Sequence, residues 1–262
     1  MPLSDLIDHA GLMVVTFIAA AINSVAGGGT LLTFPILAAI LPAGDARLVV
    51  ANATSTVGLW PGAVAAAWAY RGERRGQPPW AVWLIAPSVL GAVAGGLLLV
   101  RMPSGVFDRL VPWLILAAAI LFAIQPAIAR LAFAERPTRR SVAAACGVQF
   151  LVSVYGGYFG AGIGILMLAM LGCLGLGDIH RLNGVKNVLG TIVNGASASL
   201  FIVGSLAGWH DISWPHALTM AVAAVAGGLA GSSITRQMAP HVVRRIVSAI
   251  GFTLAAYYLV FA

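Results

Sequence analysis

Charge is scarce in this chain. Only 9% of its 262 residues are Asp, Glu, Lys or Arg, whereas 60% are hydrophobic. Soluble domains carry about 25% charged residues, so a water-facing surface cannot be assembled from this composition. Carboxylates are scarcer still, eight in all, and they fall at the termini or in expected loops. With none expected at membrane depth to hold Na⁺ or relay a proton, a cation transporter is disfavoured. Cys146 and Cys173 lie in apolar stretches without metal-ligand spacing, which excludes a disulfide framework and predicts core packing for both. His180, His210, His216 and His241 sit in or beside expected loops without metal-ligand spacing, so no metal and no cofactor are expected. Neither paired intramembrane carboxylates nor a GxSxG turn occurs, leaving an intramembrane enzyme as a minor alternative. The N-terminus carries Asp5 and Asp8 and no basic region, so no removable signal peptide is expected.

What the chain has in excess is apolar length. A spanning helix needs about 20 apolar residues, and Ala46–Ala69, Trp80–Val100, Val106–Ala129, Leu182–Ser205, Trp214–Thr235 and Val242–Ala262 meet that requirement. Two interrupted pairs remain. His9–Val25 and Thr30–Leu41 flank Gly27, Gly28 and Gly29, while Ser141–Val154 and Ile165–Leu176 flank a glycine-rich stretch from Gly156 to Gly164. These pieces read as half-helices meeting at glycine breaks. Tryptophans such as Trp80, Trp83, Trp209 and Trp214 lie near expected helix ends, as in an interfacial aromatic belt.

The pattern occurs twice. A slide of 133 residues pairs Asp45 with Asp178, Thr54 with Asn187 and Pro61-Gly62 with Asn194-Gly195. A slide of 136 pairs Gly91 with Gly227, Gly95 with Gly231, Met102 with Met238 and Arg109 with Arg245. The expectation is an all-α polytopic membrane protein of two inverted-topology repeats, each a Gly-broken half-helix pair followed by three spanning helices. Residues 1–129 form the first repeat, 130–140 a basic cytoplasmic linker and 141–262 the second. Basic residues orient the halves, because cytoplasmic loops are enriched in them. Arg71, Arg74 and Arg75, and Arg130, Arg136, Arg139 and Arg140, are expected in the cytoplasm. The loop Gly208–Asp211, which lacks Lys and Arg, and both termini are expected in the periplasm of a bacterial inner membrane. The net charge of +7 is accounted for by these loops, and no nucleic acid is expected as a partner.

Two glycine breaks at matching positions point to a binding site in the bilayer. Half-helix N-termini present unpaired N–H groups and about +0.5 charge, which suits an anion. The candidates are Asn23, Ser24, Gly27, Gly28, Gly29 and Thr30 in the first break and Tyr155, Phe159, Gly160, Gly162 and Gly164 in the second. The competing explanation is close helix packing by small residues. Lys186 is the only lysine and lies inside an apolar span. Insertion scales charge about 2.5–3.5 kcal/mol for Lys at a helix centre, so it reads as a counter-ion for a ligand; snorkelling of its stem to the interface is the alternative. Asn187, Thr191 and Asn194 share its stretch, and Asn52 and Thr54 occupy the matching stretch of the first half. A small anion is the expected partner, with the lipid bilayer as solvent. A homo-oligomer stays open.

These residues resemble the TauE/SafE sulfite exporter family, also called the toluene sulfonate uptake permease family. The resemblance is carried by AINSVAGGGTLLTFPIL and ANAT in the first half, and by YGGYFGAGIGILMLAML and GVKNVLGTIVNGAS in the second. It implies secondary transport of a sulfur oxyanion, organosulfonate or other small anion by alternating access, with an anion channel as the alternative. The second break reads Gly-Ile-Gly where the family more often has a run of glycines, and Ala169 stands where Pro35 stands in the first half. Family membership leaves the substrate open.

Overall fold

A computed structural model describes residues 3–25, 27–71, 79–130, 138–174, 179–234 and 240–261. Among these the chain is helical, with no strand. Its helices are α1 (Leu3–Val25), α2 (Thr30–Ile40), α3 (Arg47–Ala69), α4 (Ile85–Arg101), α5 (Ser104–Arg130), α6 (Arg139–Tyr158), α7 (Ile163–Gly172), α8 (Ile179–Leu206), α9 (Trp214–Ile234) and α10 (Pro240–Phe261). A short 3₁₀ segment, Pro79–Leu84, leads into α4. Six helical stretches among the described residues are long and apolar enough to cross a bilayer: Asp5–Ser24, Arg47–Ala69, Pro79–Arg101, Ser104–Ala127, Arg139–Tyr158 and Leu182–Leu206. Large apolar side chains such as Trp83, Leu151, Leu206 and Val222 face outward, which is stable only against lipid.

The broken pairs differ from the expected half-helices. At about 1.5 Å per residue, α1 with 23 residues and α6 with 20 each cover a bilayer core; only α2 and α7, with 11 and 10 residues, are half-length. The second break is also shorter than the glycine-rich run. Helix α6 starts at a capping box between Thr138 and Ser141 and continues through Gly156 and Gly157. Gly157 is a packing glycine: a Cβ there would meet the carbonyl of Ala92 in α4. The chain leaves the helix at Phe159, and Gly160 and Gly162 take left-handed φ of +85° and +79°.

Two further expectations need correction. Asp108 lies within α5 rather than in a loop, because α5 starts directly after Pro103; like Asp5 and Asp8 in the N-terminal turns of α1, it stays near a helix end rather than at mid-membrane. Cys173 is exposed at the C-terminal end of α7, where the short helix has run out, and Cys146 is half-buried. The expected linker falls mostly outside the described residues, as do Arg74, Arg75 and Asp178.

Close glycine contacts fix the helix directions. On α3, Thr54 meets Ser213, Gly58 meets Ala217 and Met220, and Gly62 meets Ala224 of α9. On α9, Gly227 meets Phe17 and Gly231 meets Ala21 of α1. Both series ascend together, so α1, α3 and α9 run parallel. By the same reading Gly91 meets Phe150 and Gly95 meets Val154 of α6, so α4 runs parallel to α6. The short α8–α9 connection turns α8 against α9. In each half the order is long, short, long, long, long, and each half lends its fourth helix to the other: α4 packs on α6 and α8, and α9 on α1 and α3.

Candidate functional site

The two breaks cross at the centre of the bundle. Gly27 (φ +72°) and Gly28 (φ +130°) need conformations that L side chains rarely adopt. A Cβ on Gly27 would lie on the backbone of Gly164, and one on Gly28 would come within 3.2 Å of the Gly162 nitrogen. The chain can cross itself here because neither break carries a side chain at the contact.

Beside the crossing is a cavity of ≈ 20 Å³ open to a water-sized sphere. Eight of the expected site residues line it: Asn23, Ser24, Gly27, Gly164, Lys186, Asn187, Thr191 and Asn194. Lys186 is only 2% exposed, so its ammonium does not snorkel; its Nζ donates to the Ser24 carbonyl at 3.2 Å. That carbonyl belongs to the last turn of α1, the partially negative end of the helix, which offsets part of the cost of burying a cation. Ser24 contributes only this backbone oxygen, since its hydroxyl donates to the Ala21 carbonyl at 2.7 Å.

The single Thr191 hydroxyl hydrogen is shared between the carbonyls of Asn187 (2.7 Å) and Ala63 (3.0 Å), linking α8 to α3. Asn194 Nδ2 donates to the Gly190 carbonyl at 2.9 Å. Asn187 Nδ2 is different: it is buried and has no acceptor. The two half-helix N-termini also differ. Asn23 Oδ1 accepts from the Gly28 amide at 2.8 Å and, more weakly, from Gly29 at 3.4 Å, closing α2. Among the described residues, no side chain accepts from the Ala161 or Gly162 amide at the start of α7, as Asn23 does at α2.

The remaining expected residues lie elsewhere. Asn52 Nδ2 donates to the Tyr158 carbonyl at 3.0 Å, clamping α3 to the end of α6. Thr54 Oγ1 accepts from the Ser213 amide at 3.0 Å, holding the entry to α9. Tyr155 pins the second break by donating from its hydroxyl to the Ala161 carbonyl at 2.7 Å. Phe159 is buried edge-on against Phe34, 5.4 Å between ring centres. Gly29 packs near the Ala19 carbonyl, and Gly160 lies beside Thr30 Oγ1, 3.6 Å from its would-be Cβ. Gly162 caps α7.

Sequence reasoning missed Ala63, Ala66, Ile163, Met167 and Gly190, which complete the cavity wall. Gly190 was findable, being one helical turn beyond Lys186 on the same face; the small pair Ala63 and Ala66 at i, i+3 gave no signal of its own. Among the described residues no carboxylate lines the cavity, and no group of His, Cys, Asp and Glu able to hold a metal occurs.

The profile of the family described as Sulfite exporter TauE/SafE matches residues 12–258. A "Probable membrane transporter protein" of Haemophilus influenzae is 28% identical over 248 residues, 94% of this chain and 92% of that protein. A "Probable membrane transporter protein ORF9" of Sinorhizobium sp. is 28% identical over 260 residues, 97% of this chain and 94% of that protein. No solved structure matches.

Proposed function

The chain is a membrane transporter belonging to the sulfite exporter TauE/SafE family, and from that premise we propose that it carries small sulfur oxyanions or organosulfonates through the Lys186 cavity. The observation that carries the reading is Lys186 itself, a nearly fully buried lysine in a cavity that no carboxylate among the described residues lines. A lysine so placed is costly to charge, and an anionic cargo offsets that cost when it binds. The family name supplies the sulfur chemistry, and the small cavity suits a sulfite-sized group better than a bulky organic anion.

Alternating access of two inverted repeats is the proposed mechanism. It is supported by helix orders that match and by counterpart helices, such as α1 and α6, that run in opposite directions. Such halves can exchange conformations about a central site and expose it to either side in turn. Arg71, at the end of α3, and Arg139 and Arg140, at the start of α6, lie at the same end of the bundle, which supports a cytoplasmic assignment for that end. Both chain termini then face the periplasm of a bacterial inner membrane.

The test is sulfite flux into proteoliposomes loaded with wild type or with Lys186→Ala. Saturable flux with counterflow, lost in a variant that still elutes as a folded species, supports the carrier. Equal flux by folded Lys186→Ala removes the role of Lys186. Single-molecule conductance would replace the carrier with a channel.

A further inference from the structure

The two breaks correspond in sequence, yet their unpaired amides are treated differently. Under the slide of 133 residues, Gly28 and Gly29 correspond to Ala161 and Gly162, and Asn23 corresponds to Gly156. In the first half the Asn23 carboxamide oxygen sits on the amides that open α2. In the second half the corresponding residue has no side chain, and among the described residues no side chain accepts from Ala161 or Gly162. A buried donor without an acceptor costs about 1–3 kcal/mol, which an acceptor bound at this break would recover. A separate donor points to the same need. Asn187 is 7% exposed, lines the cavity beside Ile163 and Gly164, and its Nδ2 has no acceptor.

We infer that the two breaks are unequal binding elements: a single oxyanion group is held at the α7 break by its amides and Asn187 Nδ2, while Asn23 permanently occupies the equivalent place at α2. This rests on the reading of the cavity as an anion site and sharpens it. One chain binds one anion, and Asn187 selects for cargo with hydrogen-bond-accepting oxygens. Directional N–H donors of this kind favour an oxyanion over a halide of equal charge. The first break is a structural turn that has kept the geometry of a binding loop with its place already taken.

Hydrogen–deuterium exchange of wild-type protein in nanodiscs, with and without sulfite under argon, tests this directly. Sulfite slows exchange in peptides covering Gly160–Ile165 and leaves Gly27–Leu31 unchanged. Protection at Gly27–Leu31, or at both breaks equally, overturns the inference. Calorimetry with Asn187→Leu then shows sulfite binding weakened by about 10- to 150-fold, the loss of one hydrogen bond to a charged group, with chloride competition unaltered. Wild-type affinity in folded Asn187→Leu also overturns it, while leaving anion transport standing. If sulfite, sulfate and acetate all fail to bind wild type, the anion reading itself falls.

Discussion

Replacing Gly190 by Ala separates the stability of the bundle from access to its cavity. Gly190 lies within α8 and lines the cavity, and a Cβ built there meets nothing within 4 Å. Ala is favoured over Gly inside a helix by about 0.5–1 kcal/mol, so the melting temperature should hold or rise. The same methyl group, however, enters a space of only ≈ 20 Å³. A bound oxyanion must then shift against packed walls, and overpacking of this kind costs about 1–3 kcal/mol. At about 1.4 kcal/mol per tenfold change, that corresponds to binding roughly 5- to 150-fold weaker. The assay pairs thermal unfolding in detergent with sulfite flux at subsaturating concentration in proteoliposomes of matched protein content. Expected is an unchanged or higher melting temperature with flux at least about fivefold lower, the lower bound of that range. Wild-type flux from the stable variant would place permeation outside this cavity and refute the argument.

Gly27→Ala should act in the opposite way, on folding rather than flux. Its φ of +72° and the Gly164 backbone at the would-be Cβ combine a left-handed strain of about 1–2 kcal/mol with an overlap that no rotamer relieves, so size-exclusion profiles should show loss of the monodisperse peak; a normal profile would contradict the crossing. Thr54→Val removes the acceptor of the Ser213 amide at nearly constant volume. It should cost about 0.5–2 kcal/mol, as lost helix caps do, and raise hydrogen exchange at Ser213–Ala217 while sulfite affinity stays at the wild-type value; weaker sulfite binding would return Thr54 to the site.

The long apolar helices, the glycine breaks and the cavity-lining Lys186 were legible because each departs from what water or lipid demands: a long apolar run, a break in one, or a lysine inside one. Lys186 and Asn187, with Thr191 and Asn194 further along one helix, also carried their own geometry, since helical spacing brings them to one face. What was not legible depended on partners far along the chain. Gly157 continues α6 instead of breaking it because the Ala92 carbonyl of another helix lies over it, and nothing local records that. Asn52 and Thr54 have the same polar character as Asn187, yet one clamps Tyr158 and the other holds Ser213. Polar residues in a span advertise that a backbone group or ligand awaits them, without saying which. Phe159 gave a related ambiguity: an aromatic beside a break can stack on cargo or, as here, join Phe34 and Phe107 in the core.

The loan of a fourth helix between halves has a consequence for how the protein is made. Helix α4 enters the membrane well before α6 and α8 have been synthesised, yet these are the helices that cover it. Its glycines Gly91, Gly95 and Gly96 lie where α6 and α8 will come into contact, and its Ser88 hydroxyl accepts from Gln149 of α6 at 2.8 Å. Until the second half emerges, that small-residue face is turned to lipid or to the insertion machinery. The first half is thus an unfinished surface rather than a finished domain. Burial of α4 therefore waits on α6 and α8, and a chain truncated before α8 would leave part of the glycine face of α4 without its partner.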